Sequence, residues 1–350
     1  MFLKNLKLTN FRNYPSLELN FSQTTLLIGR NAQGKSNLLE SIYFLSTTKS
    51  PKAEKDSQLI KQGQDFCRLE GLVERDREEK TNLEIVMQIQ QAQLFKRTKV
   101  NGVPRRVTDY MGNLVTVLFS PEDILLVIGS PSLRRWHVDI TLAQVDKSYK
   151  KAISEYSEAI ASRNKVLKRI KEGTSRIDEL DFWSDRAIES GQIISKKRRD
   201  FFEFINTVEK RFGEFSYLYK SSEIDKERLR EYLPREIAST NSLIGPHRDD
   251  FIFRLNGLDL AYFGSRGEQR TAVLDLKLSE VAFITKSQNS KPLLLLDDIF
   301  SELDTDHREH VISVVSNQQT IISAVENEVI PNKFLKSVQL IKIEEGVATF

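Results

Sequence analysis

The sequence predicts an α/β fold: mixed sheets with helices, assembled from both ends of the chain around an inserted helical arm. Three observations predict it. Gly29-Arg30-Asn31-Ala32-Gln33-Gly34-Lys35-Ser36 matches the phosphate-loop pattern G-x-x-x-x-G-K-[ST] at every position. Near the other end, Leu293-Leu294-Leu295-Leu296-Asp297-Asp298 reads as a buried strand ending in two carboxylates. Between them, residues 146–171 contain no glycine or proline, and Ile153, Ile160 and Leu167 recur every seven residues, with Tyr156 and Ile170 on the offset seam. The expected division is an N-terminal head part (1–120), a helical arm (121–235) and a C-terminal head part (236–350).

Each element has a local reason. Phe2, Leu6 and Leu8 open a first strand, and Leu17, Leu19 and Phe21 alternate with polar residues as a half-buried strand does. Thr24-Thr25-Leu26-Leu27-Ile28 is a β-rich run ending at Gly29, and Leu38, Leu39, Ile42 and Leu45 then follow at helical spacing. The glycine loop therefore leaves a strand and opens a helix, the context its motif requires. Residues 83–89, 94–100 and 115–119 read as further strands. After the heptad stretch, which Arg163 interrupts, Lys171-Glu172-Gly173-Thr174-Ser175 breaks the helix, and a second helix over 177–215 makes an αα-hairpin. After Tyr232-Leu233-Pro234 the chain is expected to return to the head. Asn256-Gly257 between apolar runs predicts a tight hairpin. A helix over 267–285, the acidic strand, a strand over 320–324 and a hairpin of 338–343 with 347–350 complete the pattern.

Bulk properties narrow the function. At 350 residues, 39% hydrophobic and 29% charged, the chain fits a two-domain soluble protein. No apolar stretch is long enough to cross a membrane. Met1-Phe2-Leu3-Lys4-Asn5 lacks the pattern of a secretory leader, and Cys67 is the single cysteine, so a cytoplasmic protein is expected. A net charge of +3 is too mild to argue nucleic-acid binding by itself.

The motifs point to ATP and Mg²⁺. The backbone N–H groups of residues 29–36 would curl around the phosphates, Lys35 would reach the β- and γ-phosphates, and Ser36 would hold Mg²⁺. Asp297, ending an apolar strand, is the second expected metal ligand, and Asp298 the group that polarises the attacking water. Ser265-Arg266-Gly267-Glu268-Gln269 is an S-x-G-x-Q stretch at a helix start. Ser265, Gly267 and Gln269 are expected to complete the γ-phosphate site of a second molecule. The implied assembly is an ATP-dependent homodimer sandwiching two nucleotides, with Asp304 of Ser301-Glu302-Leu303-Asp304 across the same seam.

Over nearly its whole length the chain resembles the RecF family of bacterial DNA-repair ATPases, of the ABC/SMC-like class. Asn10-Phe11-Arg12-Asn13-Tyr14 resembles the family's opening. Ser120-Pro121-Glu122-Asp123-Ile124-Leu125, running on through Gly129-Ser130-Pro131 to Arg134-Arg135, resembles its central signature. Gly245-Pro246-His247-Arg248-Asp249-Asp250 and the run from Leu295 to Asp304 resemble two more. The resemblance implies an ABC/SMC-like P-loop ATPase head, a slow DNA-stimulated ATPase that clamps DNA, and work with RecO and RecR in loading RecA at gaps. It also implies that Arg12 lies near the nucleotide. Two departures stand out. No histidine follows the 320–324 strand, where Val325-Glu326-Asn327 leaves the γ-phosphate sensor unassigned. Thr47-Thr48-Lys49-Ser50-Pro51-Lys52 lacks the family's His-Arg.

Candidate DNA contacts are Lys96-Arg97, Lys99, Arg105-Arg106, Arg134-Arg135 and Lys196-Lys197-Arg198-Arg199. His247 and Arg248 admit two readings, a rigid turn or a phosphate contact, and His137 has no partners at metal-ligand spacing. A transport ATPase subunit is the alternative, disfavoured by the middle insertion. A small-molecule kinase would have no use for S-x-G-x-Q.

Overall fold

The computed structural model describes residues 1–75, 79–301, 303–315, 317–325 and 338–349. Glu302, Glu326 and Asn327, named above, and Phe350, the end of the expected 347–350 strand, lie outside the described residues. The chain forms two compact units, residues 1–122 with 284–350, and residues 123–283.

The first unit begins with β1 (Phe2–Phe11), β2 (Tyr14–Asn20), β3 (Thr24–Ile28), α1 (Lys35–Thr47), β4 (Phe66–Glu74), β5 (Lys80–Gln90), β6 (Gln93–Val100), β7 (Val103–Arg105), α2 (Val107–Tyr110) and β8 (Thr116–Phe119). The second contains α3 (Leu125–Ile128), α4 (Pro131–Val145), α5 (Lys147–Lys171), α6 (Asp181–Thr207), β9 (Phe215–Lys220), α7 (Lys226–Ser239), β10 (Asp250–Leu255), β11 (Leu258–Asp259) and α8 (Leu260–Phe263). α9 (Arg266–Gln288) leads to β12 (Leu293–Asp297), α10 (Thr305–Val315), β13 (Thr320–Ala324), β14 (Gln339–Glu344) and β15 (Val347–Thr349).

Two sheets build the first unit. One is antiparallel in the order β2-β1-β4-β5-β6-β7. The other, β15-β14-β3-β13-β12-β8, is parallel except for its β14–β15 hairpin. α1 packs against strands of both sheets and is buried along nearly its whole length, only Ser36 and Asn37 being partly exposed. That explains its nearly continuous apolar run, since a helix covered on all sides has no polar face to display. The parallel register sets Asp297 beside Ser323, and Ala324 beside Ile28. The C-terminal strand ends therefore meet at one edge, where open α/β sheets present their ligands.

In the second unit α5 and α6 pair as the expected hairpin, on a seam that only partly matches the expected one. The buried stripe of α5 is Tyr149, Ala152, Tyr156, Ala159, Arg163, Val166 and Leu167, so Tyr156 and Leu167 are buried as expected while Ile153, Ile160 and Ile170 are only half-buried. Small residues at this seam, with Ala187 and Gly191 of α6, fit close helix packing. Arg163 belongs to the seam rather than interrupting it. It is 1% exposed and bonds Glu236 at 2.6 Å, Ser242 at 2.9 Å and Ser184 at 3.1 Å.

Three boundaries differ from the sequence expectation. α6 ends at Thr207, where Val208 turns to an extended conformation, and the alternating Phe215 and Tyr217 then form β9. Pro234 lies inside α7 instead of marking a return to the head, since Leu233 and Ile237 pack on Val166, Leu167 and Leu180. The second unit runs on to residue 283, where the expectation placed the return at 236. Its three-stranded sheet β11-β10-β9 carries Phe251, which packs on Phe202 of α6, and Phe283 of α9 packs on Phe201. Asn256 and Gly257 both have positive φ, as their hairpin turn requires.

Candidate nucleotide site

The loop of residues 29–34 depends on its glycines. Gly29 (φ +155°) leaves no room for a Cβ, which would lie 2.3 Å from the Ile343 carbonyl oxygen. Gly34 (φ +119°) would bring a Cβ within 2.5 Å of Asn13 Nδ2 and 2.9 Å of the Tyr14 hydroxyl. These contacts also brace the loop. Tyr14 donates to the Gly34 carbonyl at 2.9 Å, and Asn13 to that of Gln33 at 3.1 Å. Across the loop, the Glu345 N–H donates to Gln33 Oε1 at 2.7 Å. The bracing residues come from the β1–β2 and β14–β15 turns; sequence reasoning recorded Asn13 and Tyr14 only as part of a resemblance.

Behind the loop the chemistry converges. Ser36 donates from Oγ to Asp297 Oδ1 at 2.7 Å, joining residues 261 positions apart. Ser323 donates to the same oxygen at 2.8 Å. Asp298 follows in the left-handed region (φ +50°), and its N–H donates to the hydroxyl of Ser323 at 3.0 Å. Lys35, Ser36, Asp297, Asp298 and Ser323 line one cleft with Asn31. Lys35 Nζ donates to the carbonyls of Gly29 and Arg30 at 2.6 and 2.9 Å. Burial lowers its pKa, against the pull of Asp298 and Asp297. A buried carboxylate flanked by hydroxyls is an oxygen donor set that suits a hard cation, so Ser36 and Asp297 fit Mg²⁺.

Other expected ligands are differently placed. Arg12 forms a two-pronged pair with Glu40 of α1, at 2.9 and 2.8 Å, and a third bond to the Gln58 carbonyl at 3.0 Å. Its guanidinium braces α1. Gln269 is buried, and its amide donates to the carbonyls of Leu260 and Gly264 at 2.9 and 3.3 Å. It holds the turn before α9. Ser265 and Glu268 cap that helix reciprocally: the Ser265 N–H donates to Glu268 at 2.7 Å, and the Glu268 N–H to the Ser265 hydroxyl at 3.3 Å. Asp304 accepts from the His307 N–H at 2.9 Å, capping α10.

The basic candidates divide sharply. Arg105 and Arg106 are exposed at β7 and the start of α2. Arg134 is buried, paired with Asp250 at 2.6 and 3.0 Å and bonded to the Gly129 carbonyl at 2.8 Å. These bonds occupy its guanidinium within the chain. Arg135 is half-buried and donates to the Asp249 carbonyl at 2.8 Å. Arg198 is buried among Asp139, Tyr149, Asp249 and the Pro246 carbonyl, while Lys197 pairs with Asp146 and Arg199 with Glu223. Lys96 is spent on Asp56 and the Thr48 carbonyl.

His247 is resolved by its partners. Its Nδ1 lies 2.7 Å from the Tyr156 hydroxyl and its Nε2 3.0 Å from the Ser242 carbonyl. The carbonyl can only accept, so Nε2 donates, and the Tyr156 hydroxyl can donate to Nδ1 when the ring is neutral. Burial lowers its pKa accordingly. Arg248 donates to the same carbonyl at 3.0 Å, so the pair forms a rigid turn. Among the described residues no His, Cys, Asp and Glu cluster has metal-site geometry.

The DNA replication and repair protein RecF of Agathobacter rectalis is 35% identical over 349 residues, which cover 95% of each chain. The chain belongs to the RecF family. RecF of Oceanobacillus iheyensis is 33% identical, covering 99% of this chain and all of its own. The family profile of the RecF/RecN/SMC N terminal domain matches residues 2–349. A solved structure of the recombination mediator protein RecF-ATP in the RecFOR pathway superposes with a TM-score of 0.90 at 31% identity, covering 99% of this chain and 97% of that one. Its RecF-ATPrS counterpart gives 0.89. The fold expected from the sequence, an α/β ABC/SMC-like ATPase head with an inserted helical unit, is thus the RecF fold. No helix among the described residues is long and apolar enough to cross a membrane.

Proposed function

We propose that this chain is a cytoplasmic, ATP-dependent DNA-binding protein of recombinational repair. An ATP-induced homodimer clamps DNA at gaps, helps RecO and RecR load RecA, and lets go through slow, DNA-stimulated ATP hydrolysis. The observation that carries the reading is the Ser36–Asp297 bond, which makes one site of the phosphate loop and the acidic strand. There Ser36 and Asp297 would hold Mg²⁺, which neutralises phosphate charge. Lys35 would hold the phosphates, and Asp298 would orient the water.

Gly267 supports the second copy. It has no positive φ, and among the described residues nothing lies within 4 Å of a Cβ built on it. Packing within the chain gives no reason for glycine there. Close approach of an outside group to the start of α9 does, and a phosphate suits a helix N-terminus.

The test is DNA affinity with and without ATP-Mg²⁺. ATP is expected to tighten it; equal affinity in both would overturn the clamp. Arg105→Ala and Arg106→Ala are each expected to weaken binding for all sequences alike and to reduce the salt slope by about 1. An unchanged slope in the double variant would remove this edge from the DNA surface.

A further inference from the structure

The loop after α1 brings a second lysine to the nucleotide site. Ser50 shapes it: the N–H groups of Lys52 and Ala53 both donate to Ser50 Oγ, at 3.0 and 2.7 Å, in a tight side-chain-closed turn. The Ser50 hydroxyl in turn donates to Glu40, the carboxylate that Arg12 grips from the other side. The turn is thereby pinned to α1, the helix that presents Lys35 and Ser36. Its product is the position of Lys52 Nζ, 3.3 Å from Asp297 Oδ2 and 3.3 Å from Glu122 Oε1.

The electrostatics explain why a cation belongs there. The Asp297 side chain is only 5% exposed. Its Oδ1 takes two hydroxyl bonds, which satisfy lone pairs without cancelling charge. An ionised carboxylate so buried is costly unless a cation compensates it. Lys35 donates instead to the loop carbonyls. Lys52 is the ammonium in contact with the Asp297 carboxylate, while Glu122, 53% exposed, gives it a second anchor on the solvent side.

We propose that Lys52 is a resident counter-ion for Asp297: it stands in for the divalent cation and sets how much Mg²⁺ the site requires. Arriving Mg²⁺ competes with Lys52 for Asp297, and Lys52 retreats to Glu122. Arg12, Glu40 and Ser50 act through Lys52 as positioning residues. The proposal rests on the reading of Asp297 as a Mg²⁺ ligand.

The experiment follows thermal unfolding of the full chain against Mg²⁺ alone, without nucleotide. In EDTA, Lys52→Met should unfold at lower temperature than the parent, because Asp297 is left uncompensated. Added Mg²⁺ should restore it, with a half-saturating concentration about three- to tenfold lower than the parent's. Lys52→Arg keeps the charge and should titrate like the parent. Glu122→Gln removes the outer anchor and should raise the Mg²⁺ midpoint. It also keeps the test available should Lys52→Met fail to fold. Asp297→Asn separates the two ideas. If Mg²⁺ still stabilises that variant, Asp297 is not the ligand. If Asp297→Asn abolishes the response while Lys52→Met and parent share one midpoint, Asp297 is the ligand and the counter-ion role of Lys52 is wrong. A Glu122→Gln midpoint at or below the parent's would likewise overturn the role.

Discussion

Arg163→Met is expected to destabilise the second unit by about 3–5 kcal/mol, the usual cost of stranding one member of a buried ion pair. Arg163 is 1% exposed and Glu236 0%. The pair is tied on both sides, since Glu236 also accepts the Leu243 N–H at 2.8 Å. Methionine keeps much of the arginine's volume, so the loss reports charge and hydrogen bonding rather than a cavity. Adding Glu236→Leu should recover most of it, because a buried ion pair and an apolar pair of similar size are often close in energy. The measurement is simple because the chain's two tryptophans, Trp136 and Trp183, both lie in residues 123–283. Urea unfolding followed by tryptophan fluorescence therefore reads this unit alone. A loss below about 1 kcal/mol would place the pair among the weak surface ones.

Gly267→Ala should move two properties in opposite directions. Within one chain the added methyl meets open space in a helix, so stability should stay level or rise by up to about 1 kcal/mol, the helix preference of alanine over glycine. Across the proposed seam the same methyl enters the approach path of the partner's nucleotide, so ATP-induced dimerisation should weaken at least tenfold, about 1.4 kcal/mol. Dimerisation is read by sedimentation with ATP-Mg²⁺, and stability by the same fluorescence assay. Unimpaired dimerisation would free Gly267 from any role at a shared site.

The phosphate loop was legible because its glycines are required by backbone geometry that the motif encodes locally. The same holds for the acidic strand, whose four leucines announce burial, and for the Asn256-Gly257 turn. Side chains whose partners lie far along the chain were not legible. Arg12 precedes the phosphate loop in sequence, yet Glu40 claims it. Gln269 sits in the S-x-G-x-Q stretch but serves the carbonyls of Leu260 and Gly264. Arg134 and Arg135 look alike in a charge count, and only Asp250 tells them apart. The α5 seam was misread at Ile153 and Ile160, because isoleucines every seven residues outweigh alanines in a hydrophobic pattern, whereas close helix packing favours the alanines; Tyr156 and Leu167 were read correctly. Lys52 was visible only as the end of a stretch that departs from the family pattern: its place depends on a serine-closed turn anchored through Glu40.

In the proposed clamp two copies share each nucleotide site. This sharing is tested most directly by the solution mass of the protein from light scattering, without nucleotide and with ATP-Mg²⁺, beside a Ser265→Arg variant. A monomer that doubles in mass only with ATP, and fails to do so in the variant, is the predicted result. A mass indifferent to ATP, or a variant that doubles as readily as the parent, would contradict it.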